Sequence, residues 1–138
     1  MNKRKLFSIA IITILLFSGC IVFYGKFIEG EWEVDTYYKN GEEQTEQFYL
    51  LFGDYEITFH SDGEFTETYR ALNAIPVTNA GTWEIVRNEQ QWQLRLTDKS
   101  PARVFDIIKL NQKELQLKRD LGGGENEEFI MERPPEAP

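Results

Sequence analysis

The sequence predicts an all-β domain of seven or eight short antiparallel strands, preceded by an N-terminal hydrophobic helix. Three observations predict it. Apolar and polar residues alternate with a period of two through most of the chain after residue 30, the mark of half-buried strands. Turn-forming pairs such as Asn40-Gly41 and Asp62-Gly63 fall between the alternating runs, where both central residues of a tight hairpin favour positive φ. No convincing amphipathic helix occurs after residue 30, and short strands at this spacing suggest an antiparallel barrel or sandwich.

In chain order, Asn2-Lys3-Arg4-Lys5 is a basic start, and the 20 residues from Leu6 to Gly25 carry no charge. A basic start followed by an apolar run is the physical signature of an export signal. The run ends in Leu16-Phe17-Ser18-Gly19-Cys20, and small residues before a cysteine resemble a bacterial lipobox, in which the thiol is lipid-modified. Residues 1–25 therefore read either as a signal peptide with a lipobox at Cys20 or as an uncleaved transmembrane anchor, since about 20 apolar residues cross a bilayer as a helix. Ile21-Val22-Phe23-Tyr24 continue apolar past the cysteine and favour the second reading. Both keep Lys3, Arg4 and Lys5 in the cytoplasm and send the domain to the extracytoplasmic side of the cell envelope. A lipidated Cys20 would hold the domain close to the membrane, because ten residues span at most about 36 Å.

The strands follow. Trp32 and Val34 alternate with Glu31, Glu33 and Asp35, and Tyr38 continues their parity; Tyr55, Ile57 and Phe59 alternate with Glu56, Thr58 and His60. Trp83 and Ile85, then Trp92, Leu94 and Leu96, then Leu115 and Leu117, then Phe129 and Met131 repeat the pattern. Thr45 to Phe52 fits a short helix or another strand. Phe105-Asp106-Ile107-Ile108 is apolar on both parities, as at a bulge or in a strand buried on both faces. Ala71 to Ala80, with Ile75-Pro76-Val77, reads as a ten-residue apolar connection folded over a barrel end or exposed for contact. Residues 134–138, Pro-Pro-Glu-Ala-Pro, read as a disordered tail.

Gly30-Glu31-Trp32 resembles the Gly-x-Trp that opens the first strand of lipocalins. Asp54 to Phe65 is similar to the Phe-x-x-x-Gly-x-Phe hairpin of small bacterial lipocalin-like lipoproteins, and Gly81 to Ile85 and Phe105 to Asn111 resemble later strands of that group. The resemblance covers most of residues 28–133. It implies an up-and-down barrel of about eight strands, closed at one end and open at the other. It also implies an opening Trp packed at the closed end against an Arg near the end of the fold, a role open to Arg133 or Arg119.

Composition narrows the function. Nineteen aromatic residues (ten Phe, six Tyr, three Trp) are enough for one core. The net charge is -8, and without Lys3, Arg4 and Lys5 the domain stands at -11, which repels phosphate backbones and argues against nucleic-acid partners. Cys20 is the single cysteine and His60 the single histidine, so no intrachain disulfide or His/Cys zinc set can be assembled, and no Ser-His-Asp spacing stands out around His60. No metal, cofactor or catalytic residue is expected, and His60 reads as a solvated surface side chain.

An eight-stranded barrel is either filled by its own side chains or just wide enough for one small ligand. The inward candidates for such a ligand are Trp32, Tyr38, Phe59, Phe65, Glu67, Tyr69, Trp83 and Trp92. Glu67 shares parity with Phe65 and Tyr69, so it either meets a partner or polar ligand group inside or escapes to solvent where the strand splays. Two functions follow. One is a membrane-tethered module that binds a small hydrophobic ligand. The other is an envelope interaction protein with a filled barrel, docking through Ala71 to Ala80 or Phe48 to Phe52.

Overall fold

The computed structural model describes residues 25–99 and 101–136. The expected N-terminal helix and the lipidation site at Cys20 lie outside the described residues. Nine strands form one antiparallel sheet: β1 (Gly30–Lys39), β2 (Glu42–Glu43), β3 (Phe52–Phe59), β4 (Glu64–Ala71), β5 (Ile75–Asn88), β6 (Gln91–Thr97), β7 (Arg103–Leu110), β8 (Glu114–Gly122) and β9 (Glu125–Glu132). From β3 onward each strand pairs with its successor, and β1 pairs with both β3 and β9. The sheet thus closes into an eight-stranded up-and-down barrel, with the two-residue β2 as an appendage on β1. Closure pairs most strands on both sides, the usual remedy for open antiparallel edges, and leaves Ile75 to Gly81 of β5 without a partner on the β6 side.

Turn chemistry sets the hairpins. Asn40 and Gly41 both take positive φ, 51° and 77°, as a two-residue turn requires. At Asp62-Gly63 only Gly63 does, because the loop is longer and closes with Gly63 N–H donating to His60 O at 3.1 Å. Ala71 to Ala80 is not a loop. Leu72 to Ala74 make a three-residue turn, and β5 starts at Ile75, directly opposite Ala71.

Thr45 to Leu51 forms a seven-residue helix, α1. It occurs because β1 changes partner: Gly30 to Glu33 pair with β3, whereas Glu33 to Lys39 pair with β9. The exposed edge of the second half is covered by the β2–α1 segment. Gln44 N–H donates to Tyr37 O at 2.8 Å, Tyr37 N–H donates to Thr45 Oγ1 at 3.0 Å, and the Tyr49 hydroxyl donates to Val34 O. A helix this short is not stable alone; buried Phe48, within 5.0 Å of both the Tyr37 and Phe52 rings, fastens it across one end of the barrel.

β5 changes partner as well, pairing with β4 through Thr82 and with β6 from Thr82 onward. The change brings backbones together at Gly81, where a Cβ would lie 2.2 Å from Thr97 O. Glycine is needed there for space.

The opposite end is plugged. Trp32 is fully buried, and its indole N–H donates to Ile28 O at 2.7 Å. The Arg133 guanidinium stacks on that ring at 3.8 Å and donates to Phe27 O and Glu31 O. Gly30, at φ 103°, leaves room for it, since a Cβ would come within 2.9 Å of Arg133 Nη1. Of the two arginines open to this role, Arg133 fills it and Arg119 does not. Above the plug, Phe65, Phe59, Leu94 and Leu115 form a solid core, each at most 1% exposed.

Candidate functional site: a cavity in the open half of the barrel

Alternation carries polar side chains into the barrel as well as apolar ones. On β4, inward Phe65 is followed two residues later by Glu67, which is only 4% exposed. On β7, β8 and β9 the inward parity places Arg103 before Phe105, Arg119 after Leu117, and Glu127 before Phe129. These four line a cavity of about 440 Å³ together with Tyr37, Phe48, Phe52, Tyr55, Tyr69 and Phe129. Ile57, Phe59, Leu96, Leu117 and Met131 connect it to the solid core, and Asn79, Asp98, Lys99 and Pro101 border it on the β5 and β6–β7 side.

Two ion-pair networks stand in its wall. Arg103 donates from Nη1 and Nη2 to the two oxygens of Glu67, at 3.1 Å each, while Asp98 lies 3.7 Å from Nη2. Tyr55 and Asn79 also donate to Glu67. Burial works against the Glu67 charge, but the hydrogen bonds and charge of Arg103, helped by Tyr55 and Asn79, hold its carboxyl below the usual range. Burial likewise opposes the Arg103 charge, and Glu67 overrides it, so its pKa rises. Tyr55 is pushed well above an ordinary phenol, by burial first and then by the charge of Glu67. In the second network Arg119 donates from Nε (2.9 Å) and Nη2 to Glu127 Oε1, and the Tyr37 hydroxyl donates to Oε2 at 3.0 Å. Burial and then the Glu127 charge push Tyr37 to about 12. No buried side-chain polar atom among the described residues lacks a partner, so each buried member of the two networks has at least one bond before any ligand arrives.

The inward candidates divide. Phe59, Glu67 and Tyr69 line the cavity. Trp32 and Phe65 are inward but fully buried in the solid half. Trp83 is also outside the cavity, edge-on to Phe59 at 5.7 Å and donating to His60 O at 2.9 Å. Trp92 lies at the plugged end, under the Arg87 guanidinium at 4.9 Å. Tyr38 is a correction. A β-bulge between Val34 and Thr36 inverts the parity of β1, so Tyr37 faces the cavity and Tyr38 does not. Glu67 does not reach solvent; its partner is Arg103. Arg103, Arg119 and Glu127 were not among the candidates, although the same alternation would have found them.

His60 is exposed beside Thr66, 3.1 Å away, and is not among the residues that line the cavity. Among the described residues no group of three or more His, Cys, Asp or Glu side chains could hold a metal ion, and no helix is long and apolar enough to cross a membrane.

The described residues thus form a closed eight-stranded barrel, plugged at one end and hollow at the other. The chain belongs to the lipocalin-like domain family, which it matches over residues 28–117. Among solved structures it is similar in fold to a lipocalin-like protein from Bacteroides uniformis, at TM-score 0.53 and 13% identity, covering 77% of this chain and 97% of that one. An uncharacterized protein from Bacteroides eggerthii is similar at TM-score 0.52 and 13% identity, covering 78% and 99%. No curated protein matches the chain.

Proposed function

We propose that this protein is a membrane-tethered, extracytoplasmic lipocalin-like module that holds one small hydrophobic ligand in the open half of its barrel and acts by binding, without a catalytic step. The observation that carries the proposal is the aromatic-walled cavity of about 440 Å³, within the usual range for small-molecule sites. Family membership supports it. The address rests on the basic start, the apolar run and Cys20. Because residues 25–28 meet the barrel at its plugged end, where Trp32 and Arg133 bind their carbonyls, the cavity opens away from the anchoring membrane.

Titration of the full chain with the uncharged fluorophore N-phenyl-1-naphthylamine tests the binding. One saturable site per barrel is expected, and its absence would remove the function. Radiolabelled palmitate incorporation, abolished by Cys20→Ala, tests lipid attachment; an unlabelled wild type would leave the spanning helix as the tether.

A second reading has its own observation. Leu50, Leu51, Leu72 and Ile75 are 65%, 51%, 70% and 62% exposed on adjacent segments of the rim, joined where Leu72 N–H donates to Leu51 O. Such a patch suits a protein contact at the mouth. Leu72→Ser with Ile75→Ser separates the readings: a docking surface loses its partner while N-phenyl-1-naphthylamine still binds.

A further inference from the structure

The charges around the cavity constrain its ligand. Glu67, Asp98 and Glu127 line the cavity together with Lys99, Arg103 and Arg119, three acids and three bases. Both guanidiniums already sit against carboxylates, Arg103 against Glu67 and Arg119 against Glu127. An anionic head group would find no uncompensated cation inside and would meet two buried carboxylates at close range, in a domain whose overall charge is already strongly negative. Lys99, at the mouth, is exposed, and solvent and salt screen it.

A cationic head group fares no better, because each carboxylate it could approach, Asp98 included, already has a guanidinium beside it. A carboxylate has about four lone-pair sites. Those of Glu67 are all taken: Oε1 accepts from Asn79 and Arg103 Nη2, Oε2 from Tyr55 and Arg103 Nη1. Glu127 differs. Its Oε1 accepts twice from Arg119, but its Oε2 accepts only from Tyr37. One acceptor site is left at Glu127 Oε2, beside a Tyr37 oxygen and a guanidinium with unused N–H groups.

Building on the binding function proposed above, we infer that the ligand is an uncharged amphipathic molecule whose polar end is a hydroxyl or N–H donor, seated at Glu127 Oε2 with its apolar body among the aromatic rings. A hydroxyl satisfies the position from both sides, donating to Glu127 Oε2 and accepting from an unused Arg119 N–H, while Tyr37 keeps its own bond to Glu127. The same charge balance makes the cavity discriminate against fatty carboxylates.

The test compares decan-1-ol, decanoate and decylammonium at pH 8 as displacers of N-phenyl-1-naphthylamine from the full chain in phospholipid nanodiscs, corrected against empty nanodiscs. Decanol should displace the probe at a concentration at least tenfold below either ion. Decanoate displacing as well as decanol, or better, would overturn the inference and leave the binding function standing. Failure of the probe and of all three compounds to bind would remove that function, and the inference with it. Glu127→Gln, which strips Arg119 of its counter-charge, should raise decanoate affinity at least tenfold; unchanged affinity in a folded variant would contradict the charge argument. Should that variant not fold, Glu67→Gln, which leaves Arg103 only the Asp98 carboxylate at 3.7 Å, takes its place with the same two outcomes.

Discussion

Glu67 and Arg103 show how one buried pair organises the open half. The two hold each other as ions, Arg103 with Asp98 also at 3.7 Å, so removing Arg103 strands Glu67. Arg103→Leu leaves a carboxylate at 4% exposure with only Tyr55 and Asn79, and chemical denaturation should show a loss of about 3–5 kcal/mol. Glu67→Gln keeps the shape and some hydrogen bonds and should cost less, about 1–3 kcal/mol. Stability should also depend on acid in a definite direction. The folded-state pKa of Glu67 lies below the ordinary value of 4.5, so on acidification the unfolded chain takes up the proton first. The contribution is complete above that value and fades as pH falls through the lower folded-state pKa; urea midpoints between pH 6 and pH 3 should show this, and less steeply in Glu67→Gln. Sequence reading singled out Glu67 from its parity with Phe65 and Tyr69. Arg103, 36 residues away, was not assigned as its partner, because alternation says which way a side chain points and not which strand lies opposite.

At the level of elements, the fold departs from simple alternation where strands change partners. The bulge after Val34 turns Tyr37 inward in place of Tyr38, and an inserted residue leaves no local trace in a run already rich in aromatics. Of the two alternatives open for β7, a bulge or burial on both faces, the structure has the bulge: Phe105 and Ile107 are buried and Ile108, within the register shift, is 49% exposed. Ala71 to Ala80 misled because Pro76 and an exposed Ile75 look like a loop, yet proline is tolerated where a strand lacks a second partner. Gly81 marks the place where β5 turns from β4 to β6. Gly81→Ala drives a methyl into the Thr97 backbone and should cost about 1–3 kcal/mol by thermal or chemical unfolding. Thr45→Ala removes the acceptor for the Tyr37 N–H and should cost about 1 kcal/mol, with faster amide exchange at Tyr37 as its local signature.

Over the whole molecule, the barrel is two tiers with different jobs. The plugged tier, from Arg133 over Trp32 to Leu94 and Leu115, is packed like any core and supplies most of the apolar burial. The open tier spends polar and aromatic side chains on a cavity, and α1 roofs part of it. Seven or eight antiparallel strands were legible from periodicity and turn chemistry, which fit a barrel or a sandwich; closure into a barrel came from the lipocalin resemblance. Hollowness was not legible, because the same large inward residues fill a barrel or line a void depending on tilt and on which tier each occupies.

The most direct test of this two-tier account is a methyl and aromatic NMR titration with N-phenyl-1-naphthylamine. Resonances of Tyr37, Tyr69, Leu117 and Phe129 should move together with one saturating constant, while those of Trp32, Phe65 and Leu94 hold still. Shifts confined to Leu50, Leu72 and Ile75 on the rim, or no saturable shifts at all, would contradict a ligand-holding cavity.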